Sequence, residues 1–252
     1  MTPHQRPPSH PHPLWRRALA EFLGTALLVA IIVGSGIAAE RLSSDTGLQL
    51  LENALATALG LGVLIVLLAP VSGAHFNPAV TLAFATLNRG TSLRMSTQAS
   101  VVYIVAQAAG GIGGALLANA MFAVPIAIAS THRATPATFL AEVVATAGLV
   151  LVITGLTRAG QSTAVVAAAV GSYIGAAYWF TSSTSFANPA VTIGRLFSDT
   201  FTGIAPDSVL PFIGAQVIGA SVAVVATMLL FPAGENTATR WAPWGSNPRP
   251  KD

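Results

Sequence analysis

Long apolar runs separated by short polar connections dominate the hydrophobic pattern of this chain. Six runs are long enough to cross a membrane, at about residues 18–39, 53–69, 97–122, 138–156, 163–180 and 208–231. An α-helix needs ~20 apolar residues to cross ~30 Å of hydrocarbon, and it satisfies its own backbone polar groups there. The pattern therefore predicts six transmembrane helices.

Two shorter apolar segments lie between these runs, at about residues 77–88 and 188–198. At 1.5 Å per residue, each would form a helix of ~16 Å, about half the thickness of the bilayer. Each segment begins with Asn-Pro-Ala, in which Asn suits a helix N-cap and Pro suits the first helical position. The pattern predicts two half-helices whose buried ends start at Asn77 and Asn188.

The two halves of the chain repeat three landmarks in the same order, at separations of 121, 111 and 109 residues. The repeated pairs are Ala20-Glu21 with Ala141-Glu142, Asn77-Pro78-Ala79-Val80-Thr81 with Asn188-Pro189-Ala190-Val191-Thr192, and Ala106-Gln107 with Ala215-Gln216. Each half holds three spans, an odd number, so the second half enters the membrane from the opposite side as an inverted repeat. The two half-helices are then expected to meet near the midplane.

The composition excludes a soluble enzyme. Of the 252 residues, 53% are hydrophobic and 8% are charged, whereas a soluble domain has about 25% charged residues. The chain has no cysteine, which removes disulfides, thiolate metal sites and cysteine nucleophiles. We expect no metal and no cofactor. We also expect no nucleic-acid partner, since the net charge of +3 lies largely in tails and short loops.

The basic residues favour a cytoplasmic amino terminus. With this orientation nine Arg and Lys residues face the cytoplasm and three, Arg41, Arg133 and Arg195, face outward. Residues 1–14 and 233–252 are predicted to be disordered cytoplasmic tails because they are rich in proline and poor in apolar side chains. Residues 15–232 are predicted to form one membrane domain, with repeats at about 15–123 and 137–232.

The repeated motifs resemble those of the aquaporin and glycerol-facilitator family, the major intrinsic proteins. The resemblance covers about residues 16–231 and rests on Ala20-Glu21-Phe22-Leu23-Gly24-Thr25, Ser72-Gly73-Ala74-His75-Phe76-Asn77-Pro78-Ala79-Val80 and Asn188-Pro189-Ala190. It implies an all-α membrane fold of six transmembrane helices and two re-entrant half-helices in an inverted 3+3 repeat. It also implies a homotetramer with one pore per subunit.

The N-terminal ends of the half-helices indicate which groups a solute would contact. A helix N-terminus carries about half a positive charge and unpaired amides, so two such ends oppose cations. We expect the side-chain amide hydrogens of Asn77 and Asn188 to face a passing solute. The resemblance implies that Glu21 and Glu142 brace the re-entrant loops, with a proton relay as the alternative. His75 is expected either to line the inner vestibule or to secure its loop.

The constriction that the resemblance implies departs from the usual pattern. Most relatives carry an arginine directly after the second Asn-Pro-Ala, and this chain has Val191. Spacing assigns the other three positions to Thr57, Ala176 and Ser185. All four side chains are small, so we expect a wide, mildly polar filter without an aromatic ring or a guanidinium. An Arg-to-Val change here also resembles a bacterial subgroup linked with arsenic handling.

Arg195 lies one helical turn beyond Val191 and therefore on the same helix face. Its side chain could lean back toward the filter, because helical side chains point toward the N-terminus. The alternative is an ion pair with Asp199, four residues further along. We favour the ion pair, at the outer mouth.

These features predict a passive channel in a bacterial cell membrane. The expected solutes are glycerol-like polyols and metalloid hydroxides such as arsenous acid, with water. One alternative is a water-selective channel, which needs a tight constriction. Another is an ion-coupled secondary transporter, although Glu21 and Glu142 are the only carboxylates deep in a span. No nucleophile and base constellation supports a membrane enzyme.

Overall fold

A computed structural model describes residues 12–91 and 94–232 of the chain. This part holds eight α-helices: α1 (Leu14–Leu42), α2 (Thr46–Ser72), α3 (Pro78–Leu87), α4 (Thr97–Met121), α5 (Pro136–Arg158), α6 (Thr163–Phe180), α7 (Pro189–Arg195) and α8 (Pro206–Leu230). Six of them are long and apolar enough to cross a membrane. The other two, α3 and α7, have 10 and 7 residues. The predicted all-α fold of six spans and two half-helices is confirmed.

Helices α1, α2 and α5 extend beyond both ends of the apolar runs that predicted them. At α2 and α5 a polar side chain outside the run caps the helix start. Asp45, for example, accepts the backbone N–H of Leu48 at 2.9 Å and opens α2 well before its apolar run. At the other extreme, α7 ends at Arg195, earlier than its apolar sequence predicted. The disordered tails were predicted at residues 1–14 and 233–252, and of these 1–11 and 233–252 lie outside the described residues. The bound at residue 14 is corrected, because α1 already begins at Leu14.

The two half-helices begin in the same way. The Oδ1 atom of Asn77 accepts the N–H of Ala79 at 2.9 Å, and that of Asn188 accepts the N–H of Ala190, also at 2.9 Å. A proline occupies the first turn of both helices. Side-chain capping and proline together therefore fix both helix starts inside the bundle.

The two repeats also pack alike. In the first, α1 packs along α4, and in the second, α5 packs along α8. A glycine permits each close approach, since a Cβ on Gly110 would collide with the Phe22 carbonyl and one on Gly219 with the Val143 carbonyl. Small residues are the usual means by which membrane helices bring their backbones together.

Candidate functional site

Three cavities lie in series through the helix bundle. The first has a volume of about 300 Å³, the second about 50 Å³ and the third about 340 Å³. His75 lines both the first and the second cavity, and Arg195 lines both the second and the third. The three cavities share these lining residues and follow one another along the bundle, and the narrow middle one is called the lumen below. The cavity on the His75 side is named the inner vestibule and the one on the Arg195 side the outer vestibule, after the orientation expected from the basic residues.

Both capping asparagines line the lumen. The side-chain amide of Asn77 donates to the carbonyl of Ala187 at 2.8 Å, and that of Asn188 donates to the carbonyl of Phe76 at 2.8 Å. Each asparagine thus holds the loop of the opposite repeat, which brings the two helix starts together. A side-chain amide has two hydrogens. We expected the amide hydrogens of each asparagine to face a passing solute. This is corrected for one hydrogen of each amide, which donates to a carbonyl of the opposite loop.

Glu21, on α1, holds the loop that precedes α3. Its carboxylate accepts the Ser72 hydroxyl at 2.6 Å and the backbone N–H groups of His75 and Phe76 at 3.0 and 2.7 Å. The side chain of Gln107 on α4 donates to it at 2.7 Å. The carboxylate is fully buried, so these four donors replace its hydration.

Glu142, on α5, holds the loop before α7 by the same four contacts. It accepts the Ser183 hydroxyl at 2.6 Å, the N–H groups of Phe186 and Ala187 at 2.9 and 2.8 Å, and the Gln216 side chain at 2.6 Å. The donors correspond one to one across the repeat. Gln107 and Gln216 donate to these carboxylates across helices and line none of the three cavities. Such interhelical hydrogen bonds are a usual role for polar side chains in membrane helices.

The two braced loops have a strained backbone. Ala74 and Phe76 have φ angles of 51° and 49°, and Thr184, Ser185 and Ala187 have φ angles of 58°, 51° and 47°. A left-handed φ at a residue other than glycine costs about 1–3 kcal/mol and persists where the surroundings impose it. The carboxylates bind the N–H groups of these loops, and the carbonyls of Phe76 and Ala187 accept the side-chain amides of Asn188 and Asn77.

The outer end of the lumen has a different composition from the expected filter. Thr57, Ser185 and Val191 line it, as spacing predicted. Ala176 does not, because it lies on an exposed face of α6. Tyr178 lines the lumen instead, and its buried hydroxyl donates to Thr57 Oγ1 at 3.1 Å. The assignment of Ala176 is therefore corrected to Tyr178, which places an aromatic ring in the lumen wall.

Arg195 also lines this end of the lumen, and the predicted ion pair with Asp199 is wrong. Helix α7 stops at Arg195, so a residue four positions further does not lie on the same face. Asp199 instead accepts the backbone N–H and the hydroxyl of Ser130. The Arg195 Nε donates to the Thr202 carbonyl, and the guanidinium lies 3.4 Å from the centroid of the Phe186 ring. A guanidinium is thus present beside Val191 after all.

His75 lines the inner vestibule and is also tied to its loop. Its Nδ1 lies 3.1 Å from Thr81 Oγ1, and its ring packs against Phe84 and Tyr103 at centroid distances of 5.0 and 5.5 Å. The two roles left open by the sequence are therefore compatible in one side chain.

Comparison with known proteins agrees with this geometry. The family model described as "Major intrinsic protein" matches residues 9–186. Aquaglyceroporin AqpS of Rhizobium meliloti (strain 1021) is 48% identical over 223 residues, which cover 87% of this chain and 92% of that protein. The chain belongs to the major intrinsic protein family. As a member of this family it is a multi-pass membrane channel and not an enzyme.

Other major intrinsic proteins are more distant. Aquaporin-2 of Rattus norvegicus is 32% identical over 212 residues, covering 81% of this chain and 69% of that protein. The crystal structure of the aquaglyceroporin from Plasmodium falciparum superposes with a TM-score of 0.67 at 23% identity. It covers 86% of this chain and 96% of that one, and at this identity the likeness supports the fold alone.

Proposed function

We propose that this major intrinsic protein is a passive channel for water and small neutral hydroxylated solutes. The solute classes are glycerol-type polyols and metalloid hydroxides such as arsenous acid. The amphipathic wall of the lumen carries the proposal. Its apolar part is formed by Leu28, Ile32, Leu61, Ile65, Leu149, Ile153, Val170 and Ile174, and its polar part by Thr57, Asn77, Tyr178, Ser185, Asn188 and Arg195.

A polyol suits such a wall. Its carbon chain can lie against the apolar side, while its hydroxyls exchange water for the remaining amide hydrogens of Asn77 and Asn188 and for loop carbonyls. The Ser185 hydroxyl is buried at the lumen without a hydrogen-bond partner among the described residues. A cation gains nothing comparable, because it meets two positive helix ends.

In this proposal Arg195 supplies the positive charge that an arginine at position 191 supplies in most relatives. Its Nε is engaged by the Thr202 carbonyl and its face by Phe186, so the terminal nitrogens are left to donate to solute oxygens. The ring of Tyr178 and this guanidinium narrow the aperture relative to the wide filter expected from sequence. The aperture is therefore moderately selective and positively charged.

Relatives supply the solute classes. AqpS is named an aquaglyceroporin, which supports glycerol, and the replacement by Val191 resembles a bacterial subgroup linked with arsenic handling, which supports metalloid hydroxides. We further propose a bacterial cell membrane location with both termini in the cytoplasm, so that the vestibule containing His75 faces inward. The homotetramer stays a prediction.

A second function, a water-selective channel, is favoured by Tyr178 and Arg195 together, since a ring and a guanidinium narrow the lumen. The test is the volume response of proteoliposomes placed in glycerol, urea or arsenous acid, each compared with the response to an impermeant sugar. Rapid re-swelling in glycerol and arsenous acid supports the proposal. Water flux without re-swelling in any of them would establish the water-selective alternative.

A further inference from the structure

A second guanidinium, that of Arg133, lies at the outer vestibule. Arg133 belongs to the connection between α4 and α5, and it lines the outer vestibule together with Arg195. The Phe186 ring lies near both guanidiniums, with centroid distances of 3.4 Å to Arg195 and 5.5 Å to Arg133. The two charges are thus held at one level of the path.

Three consecutive backbone carbonyls fix these side chains. Arg133 donates from Nε to Gly203 at 2.6 Å and from Nη2 to Phe201 at 2.8 Å, and Arg195 donates to Thr202, which lies between them. A guanidinium held by two hydrogen bonds loses most of its side-chain freedom. The position of the Arg133 charge is therefore as well defined as that of Arg195.

Within the described part of the chain, no Asp or Glu forms an ion pair with either guanidinium. Among the residues that the structure describes, those lining the outer vestibule include no Asp or Glu, and the one ion pair found joins His132 to Asp207. Arg195 is 3% exposed. Burial lowers the pKa of Arg133 from its ordinary value, with the Tyr178 hydroxyl acting in the opposite direction, but arginine remains protonated in proteins.

We propose that Arg133 is a specificity-determining residue. Its guanidinium and that of Arg195 form a paired electrostatic barrier at the outer vestibule that excludes protons and alkali cations. The inference rests on the proposed channel function and adds to it a second charge, supplied by the α4–α5 connection. Two like charges at one level of a narrow path repel a cation more strongly than either alone.

The test compares variants in a background that lacks the first charge. Arg195→Gln channels in liposomes are assayed for glycerol flux by light scattering. Potassium and proton leak are measured with potential-sensitive and pH-sensitive dyes. The double variant Arg195→Gln, Arg133→Gln is expected to leak cations about tenfold faster than Arg195→Gln alone. Tenfold is about the effect that removing one nearby charge has on a cation in a partly aqueous vestibule. Glycerol flux is expected to change less than twofold.

Two further variants separate charge from structure. Arg133→Lys keeps the charge but loses the two-pronged hydrogen bonding, so its cation leak should equal that of the Arg195→Gln background. Arg41→Gln is the matched control, because Arg41 makes the same kinds of contact, a hydrogen bond of 2.6 Å to the Phe122 carbonyl and a ring contact, without lining the vestibule. Its leak should not change.

Thr46→Glu keeps the test decisive if Arg133→Gln folds poorly. Thr46 is exposed and lines the outer vestibule at the start of α2, so the substitution adds an opposing charge without touching Arg133. It should raise cation leak severalfold. Unchanged leak in both Arg133→Gln and Thr46→Glu, with normal glycerol flux, overturns the proposal. A wild-type protein without glycerol flux would instead overturn the proposed function.

Discussion

Replacing Glu142 by Gln should release the loop that precedes α7. The carboxylate accepts four hydrogen bonds of 2.6–2.9 Å, two on each oxygen. Glutamine keeps one acceptor oxygen and directs an NH₂ group at the donors on the other side, the N–H of Ala187 and the side chain of Gln216. Two charge-assisted bonds are thereby lost.

The size of the effect follows from those two bonds. A hydrogen bond to a charged group contributes about 1.5–3 kcal/mol, so the pair amounts to roughly 3–6 kcal/mol. Gln216 can recover part of this by turning its amide, since its Oε1 is buried without a partner. We therefore expect a loss of about 3 kcal/mol. Because 1.4 kcal/mol is a factor of ten, this loss shifts the equilibrium about a hundredfold toward a displaced loop, and glycerol flux per channel should fall at least tenfold.

The assay measures glycerol flux per reconstituted channel and the thermal unfolding of the detergent-solubilised protein. Glu21→Gln should give losses of similar size, since Glu21 has the same four donors in the first repeat. Glu40→Gln is the control, because Glu40 is exposed and accepts one backbone N–H, that of Phe201 at 3.1 Å. Glu142→Gln with wild-type flux and stability would refute the bracing role. If Glu142→Gln abolished only a proton-coupled component of the flux and left stability unchanged, the result would favour a proton relay.

Three other substitutions test the lumen. Asn77→Leu removes a helix cap and the bond to the opposite loop; we expect about 1–2 kcal/mol lower stability and strongly reduced solute flux by light scattering. Tyr178→Ala removes the ring beside Thr57 and should raise the flux of four-carbon polyols relative to glycerol by severalfold, which re-swelling rates measure. Val191→Arg adds a second large cation beside Arg195 in the narrow lumen; glycerol flux should fall more than tenfold while water flux, from osmotic shrinkage, persists.

The sequence predicted the fold well because lipid imposes a strong length rule. A run of about 20 apolar residues is typical of a transmembrane helix and of few other structures. Asn followed by Pro indicates a helix start, because capping depends on residues that are adjacent in sequence. The inverted repeat was also readable, since three landmarks recurred in order. The reciprocal hydrogen bonds of Asn77 and Asn188 could not be predicted from the sequence, because each joins a side chain of one repeat to the backbone of the other.

The outer end of the lumen was predicted less well because its residues depend on where helices end and turn. Counting residues back from Asn188 selected Ala176, but the face of α6 that meets the lumen carries Tyr178. The Arg195 and Asp199 pair required α7 to continue for another turn, and it does not. Arg133 lies on an irregular connection, where neither periodicity nor capping indicates what the side chain reaches.

The dependence of glycerol influx on concentration, measured with and without an imposed proton gradient, tests the central claim most directly. A channel whose opposed half-helices meet around an open lumen predicts an influx proportional to the glycerol gradient and unchanged by the proton gradient. An influx that saturates at low concentration and follows the proton gradient would contradict it and indicate a coupled transporter.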